Sequence, residues 1–216
     1  FYNPATRNPA LNLGLGLHQQ FAIMEDLISW GDHQRLGGSL LIADTEFTNE
    51  EWLKPFGDEH PDWFALQPNG NRLLTFGYGG RIRMCKSNPG VIDEVVRRIV
   101  GYLDDHPDFD GYGIWPSDIY GSYCVCDNCR KWGPTTSDLM ANYFRAVGEK
   151  VAQLRPGKYI SALAYHKYND APKSDVKFPD NVVLSYVGAD MPELFGYFRD
   201  VMRQKSIKEW DGWAKV

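Results

Sequence analysis

Gly111-Tyr-Gly-Ile-Trp-Pro-Ser-Asp-Ile-Tyr-Gly-Ser-Tyr-Cys-Val-Cys-Asp-Asn-Cys129 decides how this chain is read. It opens as a short apolar strand, Tyr112 to Trp115. Just past Pro116 it delivers an isolated carboxylate, Asp118, and it closes on three cysteines in Cys-x-Cys-x-x-Cys spacing. A strand whose C-terminal end carries an acid, aromatic rings and a pinned loop is where an α/β enzyme keeps its chemistry.

Strong helix patterns flank this stretch. Upstream, Asn88 suits an N-cap with Pro89 at the first helical position. Val91, Ile92, Val95, Val96, Ile99, Val100 and Leu103 then form one apolar stripe. Downstream, Thr135-Thr-Ser-Asp starts a second helix with its apolar face on Leu139, Met140, Tyr143, Phe144, Val147, Val151 and Leu154, and Pro156-Gly157 stops it. Tyr159-Ile-Ser-Ala-Leu-Ala-Tyr165 and Asn181-Val-Val-Leu-Ser-Tyr-Val187 read as further strands, and Pro192 begins a helix through about Gln204. Towards the N-terminus, Ser39-Leu-Leu-Ile-Ala43 is a buried strand preceded by a helix pattern over 21–30 and a Gly-containing alternation over 11–17. Asn69-Gly70 marks a hairpin with arms at 63–66 and 72–76, and Arg81-Ile-Arg-Met-Cys85 returns to extended structure. Strands alternating with helices of this length predict βαβ units and a parallel sheet.

Composition excludes several classes. With 216 residues, 43% hydrophobic and 24% charged, this is an ordinary globular chain, read as a single domain over 1–216. A net charge of −5 with no basic run argues against nucleic acid as partner. No apolar stretch approaches the roughly 20 residues that span a bilayer. The chain begins with Phe1 and shows no signal peptide, which fits a processed or truncated product. Aromatic residues at 14% suit a sugar cleft, whose rings stack on pyranose faces, and suit a packed core equally.

One regularity points to function. Ala43-Asp44, Pro116-Ser-Asp118, Tyr165-His166 and Ala189-Asp190 each follow a predicted strand. In parallel neighbours these polar groups converge at one rim, the catalytic face of a (β/α) barrel. Asp118 is the leading acid, with Glu46, Asp44 or Asp190 as candidates for a second carboxylate. His166 and Asp44 suit hydrogen bonds to sugar hydroxyls, and Trp115, Tyr120, Tyr165 and Tyr186 suit stacking platforms. The same residue types also serve plain structural ends: Asp caps turns after proline, and Trp packs cores. The cysteines Cys85, Cys124, Cys126 and Cys129 admit three readings: four thiolates on a structural Zn²⁺, one disulfide plus free thiols, or simple packing. No organic cofactor is called for.

His60-Pro-Asp-Trp-Phe-Ala-Leu66, Met84-Cys-Lys-Ser-Asn-Pro-Gly-Val-Ile92, and Pro116-Ser-Asp118 followed by Cys124-Val-Cys-Asp-Asn-Cys129 resemble, in that order, the domain of unknown function 4838. The resemblance covers roughly residues 36 to 190. It implies a TIM-barrel fold related to the α-glucuronidase and hexosaminidase barrels. Some members act as endo-β-N-acetylglucosaminidases, and many occur in glycan-degrading bacteria, which implies a periplasmic or secreted setting. The chain departs from the family in having no His after Ala43-Asp-Thr-Glu-Phe47. A whole (β/α)8 barrel takes about 250 residues, and five or six strands are visible, so the expectation is a barrel incomplete at one or both ends. The implied activity is cleavage of N-acetylhexosamine- or uronate-containing glycans by carboxylate acid catalysis, with the substrate acetamido group as a potential assistant. The alternative is a non-catalytic carbohydrate-binding module of a larger polysaccharide-processing protein.

Overall fold

A computed structural model of the chain describes residues 40–41, 52–72, 82–107, 109–114, 123–187 and 199–216. Among them runs a parallel sheet of β1 (Leu40–Leu41), β2 (Gly111–Gly113), β3 (Tyr159–Ala164) and β4 (Val182–Tyr186), in the spatial order β1-β2-β3-β4. The register is direct: Leu41 sits beside Tyr112, Gly113 beside Ser161, and Ala164 beside Tyr186. The helices are α1 (Lys54–Phe56), α2 (Pro89–Asp105), α3 (Asp127–Lys131), α4 (Thr136–Leu154) and α5 (Arg199–Trp213), with single 3₁₀ turns at Pro61–Trp63 and His166–Tyr168. The fold is mixed α/β, and the four described strands form an open sheet. The predicted strand over 11–17 and helix over 21–30 lie outside the described residues.

The two long helices form where the sequence places them. Asn88 Oδ1 accepts the Gly90 N–H at 2.9 Å, and Pro89 follows at N1, where its missing N–H is harmless. Six of the seven predicted stripe positions of α2 are buried, Val100 being half-buried. α4 buries Met140, Tyr143, Phe144, Val147 and Val151 in the same core as α2 and the sheet residues Ile114, Ile160 and Ala162. Leu154 departs from the predicted face: it is 52% exposed in the last turn of the helix. Gly148 permits the close approach of α4 to β4, since a Cβ there would stand 2.3 Å from Val182 Cγ2.

The link from β3 to β4 carries no long helix, unlike the α4 crossover between β2 and β3. Pro172 and Pro179 and the polar residues between them oppose a helix there. Asp138 holds this link instead. Its Oδ2 accepts from Thr135 N at 2.9 Å and Thr135 Oγ1 at 2.6 Å, while Thr135 Oγ1 in turn accepts from Asp138 N, a reciprocal capping box. Its Oδ1 accepts from Lys173 N, Ser174 N and Ser174 Oγ at 2.7–2.8 Å. α5 then packs over the link. Trp213 Nε1 donates to Asn169 O at 2.7 Å, and Trp213 joins Ala141, Ala164 and Val176 in a small core. That buried anchor carries α5 past the predicted end at Gln204 to Trp213.

The predicted hairpin forms about Asn69-Gly70, with Gly70 in the left-handed region at φ +85° and Leu66 paired to Arg72. Its first arm also pairs on the other side, Phe64 with Met84, so the 63–66 and 82–85 segments lie side by side.

Asp138 gives the fold its sharpest test. Burial opposes its charge, but the hydrogen bonds from Thr135 and Ser174 outweigh that, and its pKa is lowered. Its contribution is therefore present above the unfolded carboxylate value of about 3.9 and lost as pH falls through the lower folded value. Asp138→Ala should reduce unfolding stability in urea by about 3 kcal/mol at pH 7, and the gap from wild type should narrow at the acid end. A gap that stays constant with pH would contradict this role.

Candidate functional site

The cysteine cluster is built by three local devices. The pairing of 63–65 with 83–85 places Cys85 beside the first hairpin arm, with Cys85 N donating to Trp63 O at 2.6 Å and Ala65 N to Arg83 O at 2.9 Å. Residues 123–125 run along the same arm, where Val125 N donates to Leu66 O at 2.9 Å and Leu66 N donates to Cys124 Sγ at 3.3 Å. Cys126 then caps α3, its sulfur accepting the Cys129 N–H at 3.5 Å, which turns both sulfurs to one side.

All four ligand atoms consequently lie within 4.8 Å of one another. Cys85 Sγ stands 3.6 Å from Cys126 Sγ and 3.7 Å from Cys129 Sγ. A disulfide needs about 2.05 Å, and all four are free thiols. Cys85, Cys124 and Cys129 are buried and Cys126 is half-buried. Ser87 Oγ lies 3.0 Å from Cys129 Sγ. Hydrogen bonds from Cys129 and Cys85 lower the Cys124 thiol pKa. Its partners move the other way: the hydrogen bond to Cys124 pushes Cys85 up to about 12, and Cys129 is raised by the same contact. Such a cluster can bind a metal ion.

A second group gathers at the C-terminal ends of the strands. Tyr165 follows β3 directly, and His166, exposed, adopts a left-handed φ of 51°, with its ring tilted 5.9 Å from that of Tyr165. Non-glycine residues rarely adopt this backbone, and His is among those that tolerate it. Tyr168 is buried and meets the Tyr123 ring edge-on at 6.3 Å, and the Arg83 guanidinium stacks 4.2 Å over Tyr123. The residue that precedes Cys124 thus touches the 3₁₀ turn that follows β3. At the end of β4, Tyr186 donates its hydroxyl to Glu209 of α5 and meets Trp210 edge-on at 6.2 Å. Asp44, Glu46, Trp115, Asp118, Tyr120 and Asp190 lie outside the described residues.

Several residues here had no sequence signal of their own. Ser87 reads as part of a helix start, yet it touches the cysteine cluster. Arg83 and Lys86 are buried cations, stacked on Tyr123 and Tyr143 respectively. The alternation Arg81-Ile-Arg-Met contains a hint of the former, because an arginine between two apolar strand residues needs a ring or a carboxylate to lie against. Glu209 is buried at 5% exposure on a helix with only weak amphipathic patterning, which could not mark a buried carboxylate.

The sequence profile of a family described as Domain of unknown function (DUF4838) matches residues 42–216. No curated protein matches the chain. Among solved structures it is similar to an α-galactosidase from Lactobacillus brevis, at 12% identity over 65% of this chain and 24% of that one, with a TM-score of 0.35. It is also similar to a β-galactosidase from Bacillus circulans sp. alkalophilus, at 15% identity over 68% and 30%, with a TM-score of 0.39. A GH36 α-galactosidase from Geobacillus stearothermophilus matches at 13% identity over 82% and 32%, with a TM-score of 0.36. The chain spans about a quarter to a third of these structures, and likeness at this level carries no argument about its fold or activity. Among the described residues no helix is long and apolar enough to cross a membrane.

The Tyr186–Glu209 contact has a measurable consequence. Burial and the Glu209 hydrogen bond raise the Tyr186 pKa, and the Glu209 carboxylate is otherwise met by Lys205 Nζ at 3.6 Å. Tyr186→Phe should lower stability by about 2 kcal/mol, because a buried carboxylate loses a donor; an unchanged denaturation midpoint would contradict that.

Proposed function

The chain belongs to the DUF4838 family, and on that premise we propose a glycoside hydrolase that cleaves N-acetylhexosamine- or uronate-containing glycans. The observation that carries this reading is the parallel, sequential sheet. β2, β3 and β4 are adjacent and run the same way, so the segments that leave their C-terminal ends leave at one edge. Those segments carry Asp118, Tyr165 with His166, and Asp190; β1 leads in the same sense to Asp44 and Glu46. A doubly wound sheet reverses its strand order at a switch point, whereas a barrel advances strand by strand; the order of the four described strands supports the second. The proposal therefore includes a (β/α)8 barrel to which the domain over 1–216 contributes.

In this mechanism Asp118 donates a proton to the glycosidic oxygen as the bond from that oxygen to the anomeric carbon breaks. Glu46 or Asp190, or the substrate's acetamido oxygen, attacks the anomeric carbon from the opposite face. Water then releases the sugar, returning its proton to Asp118. Tyr165, His166, Asp44, Trp115, Tyr120 and Tyr186 line the sugar site by stacking and hydrogen bonding. The cysteines have no step in this chemistry; the metal they would take, structural zinc, stands apart from it.

The test is turnover of N-acetylglucosaminides and uronate-containing glycans by the full-length protein. Asp118→Asn should lower kcat by about 10²–10⁴-fold with KM little changed. Glycan binding with no turnover, identical in wild type and Asp118→Asn, would establish the carbohydrate-binding module instead.

A further inference from the structure

The four sulfurs are not used by the proposed hydrolysis, yet the chain spends three local devices on bringing them together. We propose that Cys85, Cys124, Cys126 and Cys129 form a closed tetrahedral site for one zinc ion, which locks the rim beside the end of β3. The centre stands whether or not the protein cleaves a glycan.

Geometry supports the ion first. Four thiolates at about 2.3 Å from zinc, at tetrahedral angles, stand about 3.8 Å apart. The Cys85–Cys126 and Cys85–Cys129 separations of 3.6 and 3.7 Å are close to that edge, and every pair falls within 4.8 Å. The widest separation exceeds that edge by no more than about 1 Å, within reach of small χ1 adjustments. The donor set contains sulfur alone, which selects zinc over the hard cations magnesium and calcium. Four protein ligands leave no open position for water or substrate, so the site is structural.

The surroundings are those of bound thiolates. The Leu66 and Cys129 N–H groups donate to Cys124 and Cys126, and Ser87 Oγ is placed to donate to Cys129 Sγ. Donors of this kind orient ligands and offset their charge. Four thiolates and Zn²⁺ carry a net charge of −4 + 2 = −2. Lys86 and Arg130 each follow a ligand directly in sequence.

The local core shows why an ion is needed. Its buried members are Ala65, Leu139 and the three sulfurs of Cys85, Cys124 and Cys129, with Leu66, Tyr123, Cys126 and Trp132 packed on it. One alanine and one leucine side chain bury too little to fix this segment, and α3 is a five-residue helix too short to stand alone. The ion would take the place of a core. Tyr123, next to Cys124, lies between the Arg83 guanidinium and the Tyr168 ring, so fixing Cys124 fixes a wall at the end of β3.

The test uses the full chain purified without chelator. Metal analysis should give one zinc per chain, and the four thiols should resist a thiol reagent until a chelator is added. Replacing zinc by cobalt should give the intense sulfur-to-cobalt absorption of a four-thiolate site. Cys129→Ser should lose the metal. Should that variant fail to fold, Ser87→Ala keeps all four ligands and should retain one zinc while binding it roughly tenfold more weakly. A folded chain with four reactive thiols and no zinc after reconstitution would overturn the proposal. So would stoichiometric iron in place of zinc, or zinc that persists undiminished in Cys129→Ser.

Discussion

Parallel strands cannot be joined by a tight turn: each needs a crossover that carries the chain back to the other end of the sheet. From β1 to β4 this chain obeys that constraint, and the consequence is directional. Whatever follows a strand emerges on one side and whatever precedes it lies on the other. The long helices α2 and α4 bury their apolar stripes in one core with the sheet residues Ile160 and Ala162, while the functional candidates follow the strand ends.

The departures from a regular βαβ succession are compensated by specific polar contacts. Where the β3–β4 crossover lacks a long helix, a buried carboxylate, Asp138, ties it to the start of α4 through five hydrogen bonds. Gly133 makes room for that carboxylate. Its φ of +140° is in the left-handed region, and a Cβ there would stand 2.4 Å from Asp138 Cβ. α5 then covers the crossover through Trp213. Around the cysteines the fold is held by pairing of the hairpin arm on both sides and by a helix cap made from a ligand sulfur, so the cluster is a product of backbone geometry.

What could be read in the sequence is what period and capping encode. Asn88-Pro89 and Thr135-x-x-Asp138 announce their helices, because a side-chain acceptor and a fixed φ act locally, and Asn69-Gly70 announces its turn for the same reason. The cysteine spacing announces a cluster, although the sequence alone left zinc, disulfide and packing open. The second role of Asp138 was not legible, since Lys173 and Ser174 reach it from 35 and 36 residues away. The buried Glu209 and the Arg83–Tyr123–Tyr168 stack depend likewise on which faces tertiary packing brings together. Short elements such as α1 and α3 carry too few residues for a period to show.

The central claim is that one edge of this sheet receives a sugar between the segments that leave β2 and β3. A crystal structure of the full-length protein with a non-hydrolysable N-acetylhexosaminide tests it most directly. The account predicts the sugar at that edge, with Asp118 in hydrogen-bond reach of the glycosidic oxygen and Tyr165 and His166 beside the ring. A ligand bound away from the strand ends, or an Asp118 carboxyl turned to solvent far from Glu46, His166 and Asp190, would contradict it.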